Sequence, residues 1–203
     1  MEHSKIQDLF VLLNENDIQY CLLNIEGGDG YELLVHPESY KLFEKLLKEN
    51  GYGYKGTSTK EFGFIYGLKP DSFYAAPWGD TIHVARQMCC RSMSNLSKCK
   101  LPLDEHIQRS VWKNKRFNKE KSGWIVSGED YVVYKLTDCI FNKRVFEEHD
   151  GAHITKHFNN ANLDTLRAEL ETVFFRFTPD LMNLIKNKDY DKIIFKYRTF
   201  KNY

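Results

Sequence analysis

The stretch "GGDGYELLVHPESYKLFEKLLKENGYG", residues 27–53, decides the reading of the fold. Glycines at 27, 28 and 30 mark a turn. "YELLVH" (31–36) follows as a strand. Side chains alternate across a strand, so Tyr31, Leu33 and Val35 share one face and Glu32, Leu34 and His36 the other. Pro37 stands where a helix favours proline at its start. Tyr40, Leu42, Phe43, Leu46 and Leu47 then form an apolar face at helical spacing, and Gly51 falls at the C-cap. Upstream, "SKIQDLFVLLNEN" (4–16) places Ile6, Leu9, Phe10, Leu12 and Leu13 on one helical stripe, and "IQYCLLN" (18–24) is a mostly apolar strand. The opening is therefore helix, strand, glycine turn, strand, helix.

Beyond Gly53 the helical period disappears. "FGFIYGL", "SFYAAPWG" and "TIHVARQM" are aromatic or β-branched runs between Lys-Pro-Asp and Gly-Asp turns, and they predict two or three antiparallel strands. Residues 88–127 are the least regular part, with a short helix expected over Asp104–Trp112. From Glu129 onward the chain reads as helical. Apolar residues recur at 132, 133, 136, 140 and 141, then at 163, 166, 170, 173 and 174. The expected architecture is α+β: a mixed β-sheet with flanking helices over 1–113, an irregular linker over 114–127 around "NKRFNKEKSG", and a helical domain over 128–203.

The 203 residues suffice to bury a sizeable core. Lys plus Arg (29) nearly balances Asp plus Glu (28), so no global field draws the chain to nucleic acid or an anionic membrane. The five cysteines are odd in number and include the adjacent Cys89 and Cys90, the pattern of reduced thiols. With no signal-peptide layout and no long apolar run, the expected setting is cytoplasmic.

The chemistry centres on Asp29, in the turn, and Glu32. A carboxylate at the start of a strand, after a glycine turn, is well placed to hold a divalent ion between itself and a phosphate. The glycines would let the backbone approach that phosphate. Read locally, the same residues also fit a glycine turn closing a hairpin with solvated acids.

The opening, from the first helix through "YELLVHPESYKLFEKLLKENGYG", resembles the nucleotidyltransferase-fold superfamily, and most of all the bacterial, polysaccharide-associated branch of small nucleotidyltransferase-like proteins. In that superfamily a strand ends near a glycine pair, the next carries two acids flanked by apolar residues, and a later strand carries a third. "PWGDTIHVARQM" resembles that later strand, and the helical segments after residue 130 resemble the superfamily's C-terminal half. The resemblance implies transfer of a nucleotidyl group from an NTP to a small-molecule or sugar-type acceptor, with Mg or Mn as cofactor. It assigns Asp29 and Glu32 to catalysis and metal binding, His83 to the third metal position, and Gly27, Gly28 and Lys135 to the nucleotide.

The match has departures. The first acid position falls on Gly30, with Asp29 one residue out of register, and the third falls on His83. Imidazole is a poor Mg²⁺ ligand. Two functions therefore stand side by side: a metal-dependent nucleotidyltransferase, or a catalytically inactive relative that binds a nucleotide or other small ligand as a regulatory module. A helical interaction protein is a third. Other clusters are His149, His153 and His157 at i, i+4, i+8, the cations Lys60, Lys69, Arg86 and Arg91, and the basic, aromatic tail "KNKDYDKIIFKYRTFKNY". The tail's Ile193, Ile194, Tyr197 and Phe200 fit the stripe of a docked terminal helix.

Overall fold

A computed structural model describes residues 5–24, 30–58, 63–64, 69–92 and 99–201. Gly27, Gly28, Asp29 and Lys60 lie outside the described residues. Helix α1 (Lys5–Glu15) leads into strand β1 (Tyr20–Leu22), which pairs antiparallel with β2 (Tyr31–Val35), Leu22 opposite Leu33. Helix α2 (Tyr40–Glu49) begins three residues later than Pro37 suggested, because residues 37–39 form a turn. Asn50 is its C-cap, and Gly51 follows at φ 79°, the left-handed turn that a glycine takes just past a helix end.

Three further strands extend the same sheet: β3 (Gly53–Thr57), β5 (Ser72–Ala75) and β6 (Thr81–Ala85). β6 lies parallel to β2 and antiparallel to β5, which pairs antiparallel with β3. The run at 62–68 does not join them. Its described part, β4 (Gly63–Phe64), belongs to a separate sheet with β8 (Cys99–Pro102) and β7 (Cys89–Arg91).

The stretch expected as a linker is a correction. After α3 (Glu105–Asn114), residues 116–125 form a hairpin of β9 (Arg116–Asn118) and β10 (Gly123–Ile125). β10 lies parallel to β1, so the large sheet runs β3-β5-β6-β2-β1-β10-β9. Its three-residue strands are too short to show a period, and the partner of β10 lies far back in the chain, Leu22 opposite Ile125.

The remainder is helical, as expected: α4 (Gly128–Thr137), a π-helical continuation over Asp138–Lys143, α5 (Glu148–Asn160), α6 (Leu163–Phe174), α7 (Thr178–Lys186) and α8 (Tyr190–Thr199). Among the described residues no helix is long and apolar enough to cross a membrane. The terminal helix docks: Ile193 is buried, and the Tyr197 ring packs against Phe141, Phe174 and Phe177.

The sheet separates two cores. Leu33, Val35, Ile82 and Val84 face α1 and α2, while Leu34 and Ala85 face the helical half. Strand alternation then places Glu32 and His83 on the face toward α4.

Candidate functional site

Register brings Glu32 and His83 together. They are direct neighbours on β2 and β6, with His83 Nδ1 3.6 Å from Glu32 Oε1. Asp71 enters at the foot of β5, two residues before Phe73, whose ring stacks on His83 at 4.9 Å. His83 Nε2 lies 3.1 Å from Asp71 Oδ2, and the Lys100 ammonium, from β8, reaches the same oxygen at 2.6 Å. On the other side Tyr134, from α4, donates its hydroxyl to Glu32 Oε2. The result is a chain of groups running Tyr134, Glu32, His83, Asp71, Lys100.

Asn24 fixes the entry to β2. Its side-chain oxygen accepts the Glu32 N–H at 2.8 Å, and its amide donates to the Gly30 carbonyl at 2.7 Å. Gly30 has φ +136°, and a Cβ there would stand 2.4 Å from the Thr81 carbonyl oxygen on β6. That backbone geometry rejects any L side chain without movement of the strand pair.

The chain's electrostatics are set by partner, not by burial. Burial drives Glu32 and Asp71 toward their neutral forms, but hydrogen bonds from His83, together with Tyr134 on Glu32 and the Lys100 charge on Asp71, hold both below the usual carboxylate range. Burial disfavours the charged imidazole, yet Asp71 and Glu32 overcome it and push His83 up to about 9. The two carboxylates hold His83 toward its protonated, imidazolium form. Both ring nitrogens then carry protons, and neither has a lone pair for a metal.

These residues line a cavity of about 260 Å³ between the large sheet, the small sheet and α4. Its apolar part is Leu23, Met88 and Leu103. Its polar rim comes from the π-helical turn: Asp138, Asn142 and Lys143, with Asn142 accepting the Arg91 N–H at 2.9 Å. Burial raises Asp138 against the opposing pull of the Lys143 charge, and the nearby Glu32 charge adds a smaller push in the same direction as burial.

The remaining sequence candidates are dispersed. Lys135 does not line the cavity; its ammonium pairs with Asp150 at 2.9 Å, on α5. That contact and Lys143 hold Asp150 down at about 2 despite burial. The three histidines of α5 do not converge: the His149 and His153 rings are 5.9 Å apart, while His157 packs on Tyr131. A closer metal-type grouping, among the described residues, is Glu147, His149 and Asp150, but the ammoniums beside Asp150 compete with any cation. Arg86 leaves the site and lies over the Tyr40 ring at 3.4 Å.

Asp71, Lys100, Tyr134 and Asn24 escaped the sequence reading. In sequence Asp71 reads as part of a Lys-Pro-Asp turn, although alternation back from Phe73 puts it on His83's face. Lys100 and Tyr134 arrive from elements that no local pattern links to β2.

Among the described residues, the divalent ion implied by the resemblance does not fit the donor set. The position of the motif's first acid has no room for a side chain. Glu32 is engaged by Tyr134 and His83, Asp71 by His83 and Lys100, and the histidine between them is itself the cation.

No family model and no curated protein matches the chain. Among solved structures it is similar to the crystal structure of an antigenic nucleotidyltransferase-like protein from Paracoccidioides brasiliensis, at 15% identity and a TM-score of 0.43, covering 94% of each chain. The likeness is distant, and the functional reading rests on the residues.

Proposed function

We propose that this chain is a nucleotidyltransferase-like protein that binds a small anionic ligand without a divalent ion, as a binding or regulatory module rather than a metal-dependent transferase. The observation that carries this reading is the place of His83, between the Glu32 and Asp71 carboxylates at 3.6 and 3.1 Å. A divalent ion would have to displace an imidazolium already neutralising both acids. The kinship to the superfamily is supported by the opening motif, and by the parallel pairing that sets Glu32 beside His83, the second and third motif positions.

The ligand class follows from charge and size. The cavity is lined by His83, Arg91, Lys100 and Lys143 against Glu32, Asp71 and Asp138, and Asp138 is held toward its neutral form. The balance favours an anion. A volume of about 260 Å³ falls below the roughly 300–1,000 Å³ of drug-sized sites, which suits a phosphate-bearing fragment better than a whole NTP.

Thermal unfolding tests this. Millimolar pyrophosphate in EDTA should raise the Tm by mass action, and Mn²⁺ alone should not. A Tm rise that requires Mn²⁺ and an NTP together would overturn the metal-free reading. It would restore nucleotidyl transfer, with the small-molecule or sugar-type acceptor that the polysaccharide-associated branch implies.

A further inference from the structure

A second polar cluster lies where three helices meet, away from the cavity. Ser110 and Asn114 belong to α3, Ser127 and Asp130 to the start of α4, and Glu169 to α6. Asp130 is 0% exposed and Glu169 2%. Ser127 Oγ donates to Asp130 Oδ2 at 2.6 Å and accepts the Asp130 N–H at 3.1 Å as the helix N-cap. Ser110 Oγ donates to Glu169 Oε1 at 2.6 Å, accepts from Asn114 at 2.9 Å, and also lies against Asp130. The remaining oxygens, Asp130 Oδ1 and Glu169 Oε2, are buried with no hydrogen-bond partner.

Charged and titratable neighbours come from every side, and among the described residues none is a cation paired with either acid. Glu129, on α4, adds a like charge and is itself 3.8 Å from Arg116. Cys21 approaches from β1. Lys115, at the end of α3, turns toward the Tyr20 carbonyl at 3.4 Å and the rings of Trp112 and Trp124. His157, on α5, packs on Tyr131. Two buried carboxylates without a counter-charge cannot both stay ionised at ordinary cost. A proton supplies the missing donor.

We propose that Asp130 and Glu169 are an acid pair that holds one proton between them at neutral pH, and that this proton is a structural ligand of the α3–α4–α6 interface. Losing it leaves two buried like charges, Asp130 at the first turn of α4 and Glu169 facing it from α6. The next turn of that helix carries Tyr134, whose hydroxyl is bonded to Glu32 in the cavity, so the pair's charge state reaches the cavity wall.

The sign follows from linkage. Burial, then the Asp130 charge, raises Glu169 to about 7 from its ordinary 4.5. The folded chain therefore holds a proton that the unfolded chain has lost, and stability falls as pH rises from about 4.5 to about 7. The pair titrates as a unit.

The test is thermal unfolding of the full chain in EDTA between pH 5 and 8, with infrared spectra in the carboxyl region. The wild type should lose Tm over this range and show a protonated-carboxyl stretch at pH 6. Glu169→Gln, whose amide replaces the missing donor, should remove that stretch, flatten the pH profile and raise the Tm at pH 8 by about 5 °C. Superimposable profiles for wild type and Glu169→Gln would overturn the proposal, as would a wild-type spectrum with no protonated carboxyl that the substitution removes. Restored divalent cations that raise the wild-type Tm but not that of Glu169→Gln would also overturn it, because the pair would then hold a metal ion. The wild-type infrared band is read without relying on any variant's folding.

Discussion

The molecule contains two carboxylate clusters, each built around a buried aspartate, that solve the same problem in opposite ways. In the cavity, Asp71 and Glu32 keep their charges because His83 and Lys100 stand against them. Between α3, α4 and α6, Asp130 and Glu169 have only hydroxyl and amide partners, and burial drives both toward the neutral form. Asp71 is 3% exposed and Asp130 0%, so burial does not separate them. A neighbouring cation does. A buried acid with a fixed cation becomes an ion pair, and one without becomes a proton site.

The largest effect should come from removing the cavity's central cation. His83→Gln leaves Asp71 with Lys100 as its only cation and Glu32 with none in contact, and should cost about 3 kcal/mol at pH 6 in denaturant unfolding. His83 rises from 6.5 to about 9 on folding, so its contribution is full below pH 6.5 and is lost as pH climbs to about 9. The difference between wild type and His83→Gln should shrink over that window. A constant difference would mean that the imidazolium is not the stabilising species. Next in size, Gly30→Ala should cost about 2 kcal/mol through strain at a positive φ against Thr81. Gly30→Asp should gain no Mn²⁺ binding by calorimetry, and metal binding there would refute the closed-strand account.

Glu169→Gln should act in the opposite direction, stabilising by about 2 kcal/mol at pH 8 and little at pH 5. Wild-type stability then falls in two windows, roughly pH 4.5–7 from the acid pair and 6.5–9 from His83. Each substitution should erase only its own window in a chemical-denaturation pH series. The smallest effect belongs to Tyr134→Phe, which removes one donor from Glu32 and should cost about 1 kcal/mol, with a weaker Tm response to pyrophosphate.

Much of this was legible in the chain. The stripe Ile6, Leu9, Phe10, Leu13 and the alternation Leu33, Val35 against Glu32, Leu34 gave the first helix, the second strand and the correct faces, because both periods are local. Helical character after Glu129 was equally plain. Of the candidate site, Glu32 and His83 were named from sequence, and strand register made them neighbours. The hairpin at 116–125 was hidden, since two strands of three residues carry no period.

By itself the sequence determined the helices at both ends of the chain and the strands around Leu33 and Ile82, which face of each is apolar, and that Glu32 lies at the start of a strand. Only the tertiary structure decided what those residues are chemically. Protonation depends on groups within a few ångströms, and here they come from distant parts of the chain: Lys100 to Asp71, Tyr134 to Glu32, Ser110 to Glu169. His83, expected from the resemblance as a metal ligand, lies between two carboxylates because parallel pairing set it beside Glu32 and the foot of β5 brought it Asp71.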